Sequence, residues 1–162
     1  MAVNGWDIVI KKMTDLPKFN RAVKIGVQTV LTTQKKRIFV DGQDANGAKI
    51  GQYSTTPISI SKKNQARNTG KTYFKTGYDE YKTAIGKNPG YVNLTNTGQM
   101  FQDYAYFDLG VDSAGIGFQN DVNFNKSQWM EDKYEKKIFQ QSSQEGIILN
   151  QVIEREIGKD LP

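Results

Sequence analysis

Residues 16–31 read LPKFNRAVKIGVQTVL and carry a helical pattern that organises the first part of the chain. Apolar side chains recur there at every third or fourth position, while basic side chains occupy the other faces. Pro17 falls in the first turn, where a missing N–H is tolerated. We therefore predict a long amphipathic helix from about 16 to 39. Gly26 costs such a helix about 1 kcal/mol relative to Ala, and we interpret it as a point of close packing.

Four further elements are predicted from local patterns. Period-two alternation predicts a strand at about 5–12, and a short helix is expected at about 78–85. Aromatic-rich residues 99–109 and residues 116–119 form a predicted antiparallel hairpin that joins the first strand in one sheet. A final helix begins near Ser142–Glu145, where a Ser cap is followed by an early acid. The order predicts an α+β fold, an antiparallel sheet with a long N-terminal helix and a C-terminal helix packed on it.

The segment at about 41–77 has a different texture. It is rich in Gly, Asn, Ser and Thr, it contains the turn dipeptides Asp41-Gly42 and Asn46-Gly47, and it is longer than an ordinary connection. It also keeps aromatic and branched side chains, which disordered segments lack. We predict a single domain over 1–162 with an inserted extended loop or arm at about 41–77, ordered against something such as another subunit.

The 162 residues include no Cys and no His. Without Cys there are no disulfides, thiolate nucleophiles or sulfur-ligated metal centres. Without His, Ser-His-Asp hydrolases and most zinc enzymes are excluded. Carboxylate or magnesium chemistry would need a recognisable cluster of acids, and the sequence shows none. We predict a protein that is not an enzyme and that has no catalytic residues, cofactor or metal.

Apolar runs are far shorter than the roughly 20 residues that span a bilayer, so no membrane span is expected. At the N-terminus an apolar stretch precedes the lysines, the reverse of the order in a secretory signal. We therefore expect a protein made in a cytoplasm.

Charge is distributed unevenly along the chain. Residues 1–40 carry eight Lys or Arg and two Asp, residues 51–77 carry five basic residues and no acid, and the remainder sums to about −6. A mixed solvated surface is the ordinary explanation. The alternatives are head-to-tail contact between identical subunits and a basic lining that faces DNA phosphates. The candidate subunit or DNA contact residues are Lys62, Lys63, Arg67, Lys71 and Lys75.

Two short stretches of sequence do not match the binding motifs that they partly resemble. Gly70-Lys71-Thr72 contains G-K-T, but the Walker spacing requires a glycine where Gln65 stands. The sequence DGQDANG at 41–47 is faintly similar to a calcium loop, whose third and twelfth positions are here Gln43 and Gln52. We interpret both stretches as turns.

Four segments in a fixed order carry a resemblance to a known family. They are WDIVIKKMTDLPKFNRAVKIGVQTVL at 6–31, RIFVDGQDANGAKIGQYS at 37–54, LTNTGQM at 94–100 and KKIFQQSSQEGIILNQVIEREI at 136–157. Together they resemble the neck and tail-completion proteins of tailed bacteriophages, also labelled virion-morphogenesis or head-tail connector proteins. That family has a strand and a long amphipathic helix, a variable loop, an L-T-x-T-G-x-L-like signature that opens an aromatic strand, and an aromatic residue before a C-terminal amphipathic helix.

The resemblance implies a structural virion protein. Its copies would form a homo-oligomeric ring below the portal, in contact with other neck, portal-adaptor and tail proteins, with a lumen where non-specific contact with genomic DNA is possible. The implied location is the neck or tail region of the virion, after synthesis in the host bacterial cytoplasm. Within the signature, we expect Thr95 and Thr97 to fix a turn by side-chain bonds to nearby backbone, and Gly98 to adopt a positive φ.

Two other functions stay open from the sequence. A small phage nucleic-acid-binding protein could use the basic 51–77 segment, with Tyr73 and Phe74 stacked on bases. An enzyme would have only the scattered acids Asp103, Asp108 and Asp112 to work with.

Overall fold

The fold is α+β, as the order of elements predicts. The computed structural model describes residues 7–8, 17–61, 70–111 and 113–158, the first two residues of β1 and of α1 by their backbone alone. The helices are α1 (Pro17–Lys35), α2 (Tyr78–Ala84), α3 (Gln99–Asp103), α4 (Asp121–Tyr134) and α5 (Ser143–Gly158). The strands are β1 (Asp7–Ile8), β2 (Ile58–Ser61), β3 (Lys71–Phe74), β4 (Tyr104–Asp108) and β5 (Ala114–Phe118). The predicted contact residues Lys62, Lys63 and Arg67, the acid Asp112 and most of the predicted 5–12 strand lie outside the described residues.

The long N-terminal helix changes pitch near its end. After α1, residues Lys36–Val40 continue as a π-helical segment, so the helical region closes within a residue of the predicted end at 39. Its buried residues are consecutive: Arg37, Ile38 and Phe39. Such π-helical turns are rare and short. A pattern of three-to-four spacing predicts helix here but not the change of pitch.

The main sheet has three antiparallel strands in the order β1-β5-β4. In the hairpin, Tyr104 lies opposite Phe118 and Asp108 opposite Ala114. The predicted hairpin and its pairing with the first strand are confirmed. The predicted start of the aromatic strand at 99 is wrong, because Gln99–Asp103 form the short helix α3 before β4 begins.

The first and last helices pack closely against each other. A Cβ atom added at Gly26 of α1 would lie 2.7 Å from Leu149 Cδ1 and 3.4 Å from Ile153 Cγ1, both on α5. The close packing predicted at Gly26 is therefore confirmed. Among the helices described, none is long and apolar enough to cross a membrane.

Residues 41–77 hold a tight loop followed by a separate hairpin. Gly42 and Gly47 have φ values of 61° and 81°, as the two turn dipeptides predict. Strands β2 and β3 pair with each other and with no strand of the main sheet described here. We call this β2–β3 hairpin the arm. Phe74 of the arm packs edge-on against Tyr81 of α2, with ring centroids 5.5 Å apart. The extended arm was predicted, but its two strands were not.

Helix α4 was not predicted. Asn120 caps its start by accepting a 2.8 Å hydrogen bond from the Val122 N–H, and Glu135 ends it in the left-handed conformation. Its few apolar side chains do not form a continuous stripe, since Val122 and Trp129 point to solvent. The helical period is therefore absent from this stretch of sequence.

Candidate functional site

A cleft of about 480 Å³ lies between α2, α4 and the segment 92–100. Met100 and Met130 lie on its apolar surface, and the signature residues Leu94 to Thr97 form part of its wall. Helix α4, which the sequence pattern missed, supplies a whole side of the cleft. The cleft itself could therefore not have been predicted.

Lysines and aromatic side chains dominate the cleft. The lysines are Lys82, Lys126 and Lys133, and the aromatic residues are Tyr53, Tyr78, Trp129 and Tyr134. Lys133 Nζ lies 4.9 Å from the ring centroid of Trp129, which is 55% exposed. Among the described residues that line the cleft, none is Asp or Glu. The cleft therefore suits a ligand that combines apolar surface with negative charge.

The signature LTNTG forms a turn beside the cleft. Gly98 has φ 78°, the positive value predicted for it, and Thr97 Oγ accepts a 3.3 Å hydrogen bond from the Gln99 N–H. Thr95 behaves differently from the expectation, because its hydroxyl donates to the Asn93 side chain at 2.7 Å and not to backbone. Leu94 adopts φ 55°, a conformation that costs a branched residue energy.

Asn93 is the residue that sequence reasoning missed in this turn. Its Oδ1 accepts hydrogen bonds from the Thr95 N–H at 3.3 Å, from the Thr95 hydroxyl and from the Tyr53 hydroxyl at 3.2 Å. An Asx turn of this kind is signalled by an Asn two residues before a turn position. The spacing N-L-T at 93–95 contained that signal.

Lys82 connects the cleft to the turn. The residue is only 1% exposed, and its Nζ donates a 3.1 Å hydrogen bond to the Thr95 carbonyl. The same ammonium lies 5.1 Å from the ring centroid of Tyr53. Burial lowers the pKa of Lys82. Lys82 therefore positions the signature turn from below, while the other two lysines remain exposed to a ligand.

A buried ion pair lies at the other side of the core. Arg37 Nε donates to Glu145 Oε1 at 2.7 Å, and the two residues are 8% and 1% exposed. The remaining guanidinium N–H groups donate to the carbonyls of Gln43, Ile138 and Gln140. Every nitrogen of the guanidinium therefore has a partner, which a buried charge requires.

Glu145 also completes the predicted cap of α5. The Ser142 N–H donates to Glu145 Oε2 at 2.7 Å, and the Glu145 N–H donates to Ser142 Oγ at 3.2 Å. This reciprocal pair is a capping box. Tyr104 extends the network, since its hydroxyl donates to Gln34 Oε1 at 2.8 Å and burial raises its pKa. The sequence predicted the cap but not the arginine that binds its acid.

Of the predicted basic set, Lys71 lies on β3 and Lys75 directly follows that strand. Lys71 and Lys75 are exposed, and neither lines the cleft. Tyr73 between them is 63% exposed, whereas Phe74 is buried. The two aromatic residues considered for base stacking therefore differ, and only Tyr73 presents its ring to solvent.

The acids considered for catalysis make structural contacts. Asp108 binds Lys24 at 2.6 Å, and this hydrogen bond lowers the pKa of Asp108. Asp103 accepts a 3.2 Å hydrogen bond from the Asn120 N–H, near the opposite end of β4. Within the described part of the chain, no three acids gather as a metal-binding group would.

No family model matches the chain, and no curated protein and no solved structure matches it.

Proposed function

We propose that the chain is a structural subunit of the head-to-tail connector of a tailed bacteriophage, a neck or tail-completion ring through whose lumen DNA passes. The observation that supports this proposal is the meeting of the resembling segments in one core. Segments at 37–54, 94–100 and 136–157 are far apart in sequence, yet their side chains bind one another or the same neighbours.

The aromatic members of these segments pack together. Phe39 lies 6.0 Å from Tyr104 of the aromatic strand and 6.4 Å from Phe139, which precedes α5. Tyr104 and Phe139 are 5.7 Å apart. Phe39 and Phe139 come from two of the resembling segments, and Tyr104 comes from strand β4, which follows the 94–100 segment, so these parts of the chain pack as one unit.

The buried ion pair joins two of these segments, 37–54 and 136–157. Arg37 opens the segment RIFVDG, and its guanidinium binds Glu145 and two carbonyls of the 136–157 segment. A motif set that forms a common core is a stronger basis for resemblance than one scattered over the surface.

The surface offers two contact regions, which adjoin at Ile58 of β2, an arm residue that lines the cleft. The arm carries exposed lysines, and the cleft is open between α2 and α4. A subunit of a closed ring needs different surfaces on its two flanks, and a connector needs others for the proteins above and below. Few and exposed basic side chains also suit sliding DNA, which must not be held tightly.

The proposal is tested in particles of the phage that encodes the chain. An amber mutation in its gene is expected to give filled heads and separate tails that fail to join, and a reconstruction of wild-type virions is expected to show the chain as a ring in the neck. A neck reconstruction without this chain would overturn the proposal.

A DNA-binding test separates the main alternative. Tight binding of the isolated protein to free DNA at about 150 mM salt, lost when Lys71 and Lys75 are changed to Ala together with the three basic residues at 62, 63 and 67, would favour a nucleic-acid-binding protein. The connector predicts weak binding that falls steeply with salt.

A further inference from the structure

We infer that the turn between β4 and β5 of one copy docks into the cleft of the next copy, as a head-to-tail contact between identical subunits. The β4–β5 tip is defined here as residues 108–111. This inference rests on the proposed function for its setting, because repetition of one head-to-tail contact is what closes a ring.

The β4–β5 tip presents apolar side chains to solvent. Leu109 and Val111 are 40% and 77% exposed. The Leu109 N–H donates to the Ser113 carbonyl at 3.1 Å, and the Gly110 N–H donates to Asp108 Oδ1 at 3.2 Å. Two large apolar side chains exposed this close together form a small apolar patch of the kind that marks a contact surface.

The tip also carries a carboxylate. Asp108 forms an ion pair with Lys24, but 55% of its side chain is exposed. Its carboxylate is therefore accessible to a lysine of another copy. Apolar side chains beside a carboxylate are the chemistry that the cleft suits.

The cleft complements the tip in both respects. Met100, Met130 and the exposed ring of Trp129 offer apolar contact, while Lys126 and Lys133 supply positive charge. An exposed Trp in a concave site is typical of the residues that carry binding energy in protein interfaces. The volume of about 480 Å³ falls within the range of sites that hold ligands of this size.

Tip and cleft lie at opposite ends of the same hairpin. The cleft residue Met100 precedes β4, and α4 follows β5, so the cleft lies at the open end of the strands. The tip lies at the closed end, four residues from Tyr104 to Asp108, or roughly 13 Å along the strand. Because the tip and the cleft lie at opposite ends of the hairpin, the tip cannot reach the cleft of its own copy. It can dock into the cleft of a neighbouring copy, which gives a head-to-tail contact.

Other exposed apolar groups fit the cleft less well. Tyr73 on the arm lies between Lys71 and Lys75, whose charges would face the lysines of the cleft and repel them. Val122 belongs to α4, which is itself a wall of the cleft. The β4–β5 tip therefore remains the favoured occupant.

Cysteine crosslinking tests the contact, since the natural chain has no Cys. Val111→Cys and Lys126→Cys variants are mixed, and a disulfide-linked dimer is expected. A variant with both substitutions is expected to form a ladder of covalent oligomers, because each copy links to the next. Val111→Cys mixed with Ile147→Cys is the control, since Ile147 is 49% exposed on α5 and away from the cleft.

The crosslinking is carried out on concentrated purified protein and on cells that assemble particles. Absence of the Val111–Lys126 disulfide in both, or an equal yield with the Ile147 control, would overturn the inference. In parallel, Leu109→Asp with Val111→Asp should weaken self-association by about tenfold or more while the circular dichroism of the folded protein is unchanged.

The outcomes distinguish the two proposals. A ladder formed by a protein that is absent from the virion neck supports the contact and contradicts the connector. A protein present in the neck without the disulfide supports the connector and contradicts the contact. Binding of a single-stranded oligonucleotide to the cleft of the assembled oligomer, if it is abolished by Trp129→Ala, would also count against docking by the tip.

Discussion

Replacement of Arg37 by Met should be among the most damaging changes in this chain. Arg37 is 8% exposed, and its guanidinium donates to Glu145 at 2.7 Å and to three carbonyls. In the variant, Glu145 stays buried with its charge opposed by no cation, and the three carbonyls lose their donors. Removing one partner of a buried ion pair costs about 3–5 kcal/mol. For a chain of this length the melting temperature should fall by roughly 10 °C.

The measurement is guanidinium unfolding followed by circular dichroism, with the wild-type m-value as a check on two-state behaviour. Lys36→Met is the matched control, because Lys36 is the preceding residue and its ion pair with Asp41 is exposed. Such a pair contributes at most about 1 kcal/mol. Adding Glu145→Gln to Arg37→Met should recover part of the loss, since a neutral amide is cheaper to bury. A loss below about 1 kcal/mol, or no recovery in the double variant, would refute the reasoning about buried charge.

Three further predictions follow from packing, hydrogen bonding and ionisation. Gly26→Ala should destabilise the protein by about 1–2 kcal/mol because its Cβ would overlap Leu149, whereas Gly146→Ala, whose Cβ would meet only Gln141 Nε2 at 3.9 Å, should stabilise it by up to about 1 kcal/mol. Chemical denaturation of both variants compares the signs, and equal effects would contradict the packing. Asn93→Ala should lower the free energy of unfolding by about 1–3 kcal/mol and broaden the NMR signals of the turn at 94–98, because three donors lose their acceptor. Unchanged NMR signals of the turn would show that Asn93 does not hold it. Burial raises the pKa of Tyr78 to about 12, so between pH 10 and 12 the folded state keeps a proton that the unfolded state loses, and the free energy of unfolding should fall over that range. Tyr78→Phe should make this fall shallower, and a pH profile identical to that of the wild type would count against the shift.

Helices α1, α2 and α5 and the β4–β5 hairpin could be predicted because their signals are local. The spacing of Val23, Val27 and Val30 specifies one buried face of α1, and the Ser142–Glu145 pattern specifies the cap of α5. The positive φ values of Gly42 and Gly98 could likewise be predicted from the turn residues beside them in the sequence. Each of these features depends on residues a few positions apart.

The cleft and the ion pair could not be predicted because they depend on distant residues. Arg37 and Glu145 are 108 positions apart, and no pattern in one segment indicates the other. Helix α4 has no apolar stripe, so the wall that carries Lys126 and Trp129 was absent from the prediction. Charge counted by segment does not indicate the basic cleft, because its lysines belong to the acidic part of the chain.

The pairing of α1 with α5 has a consequence for how the chain acquires its structure. During synthesis, the face of α1 around Gly26 emerges more than a hundred residues before Leu149, which covers it. Contacts of such long sequence separation form slowly, because a large loop must close before they contribute. The nascent helix therefore presents its apolar face until α5 has been synthesised, and during this interval the chain is exposed to aggregation or to binding by a chaperone.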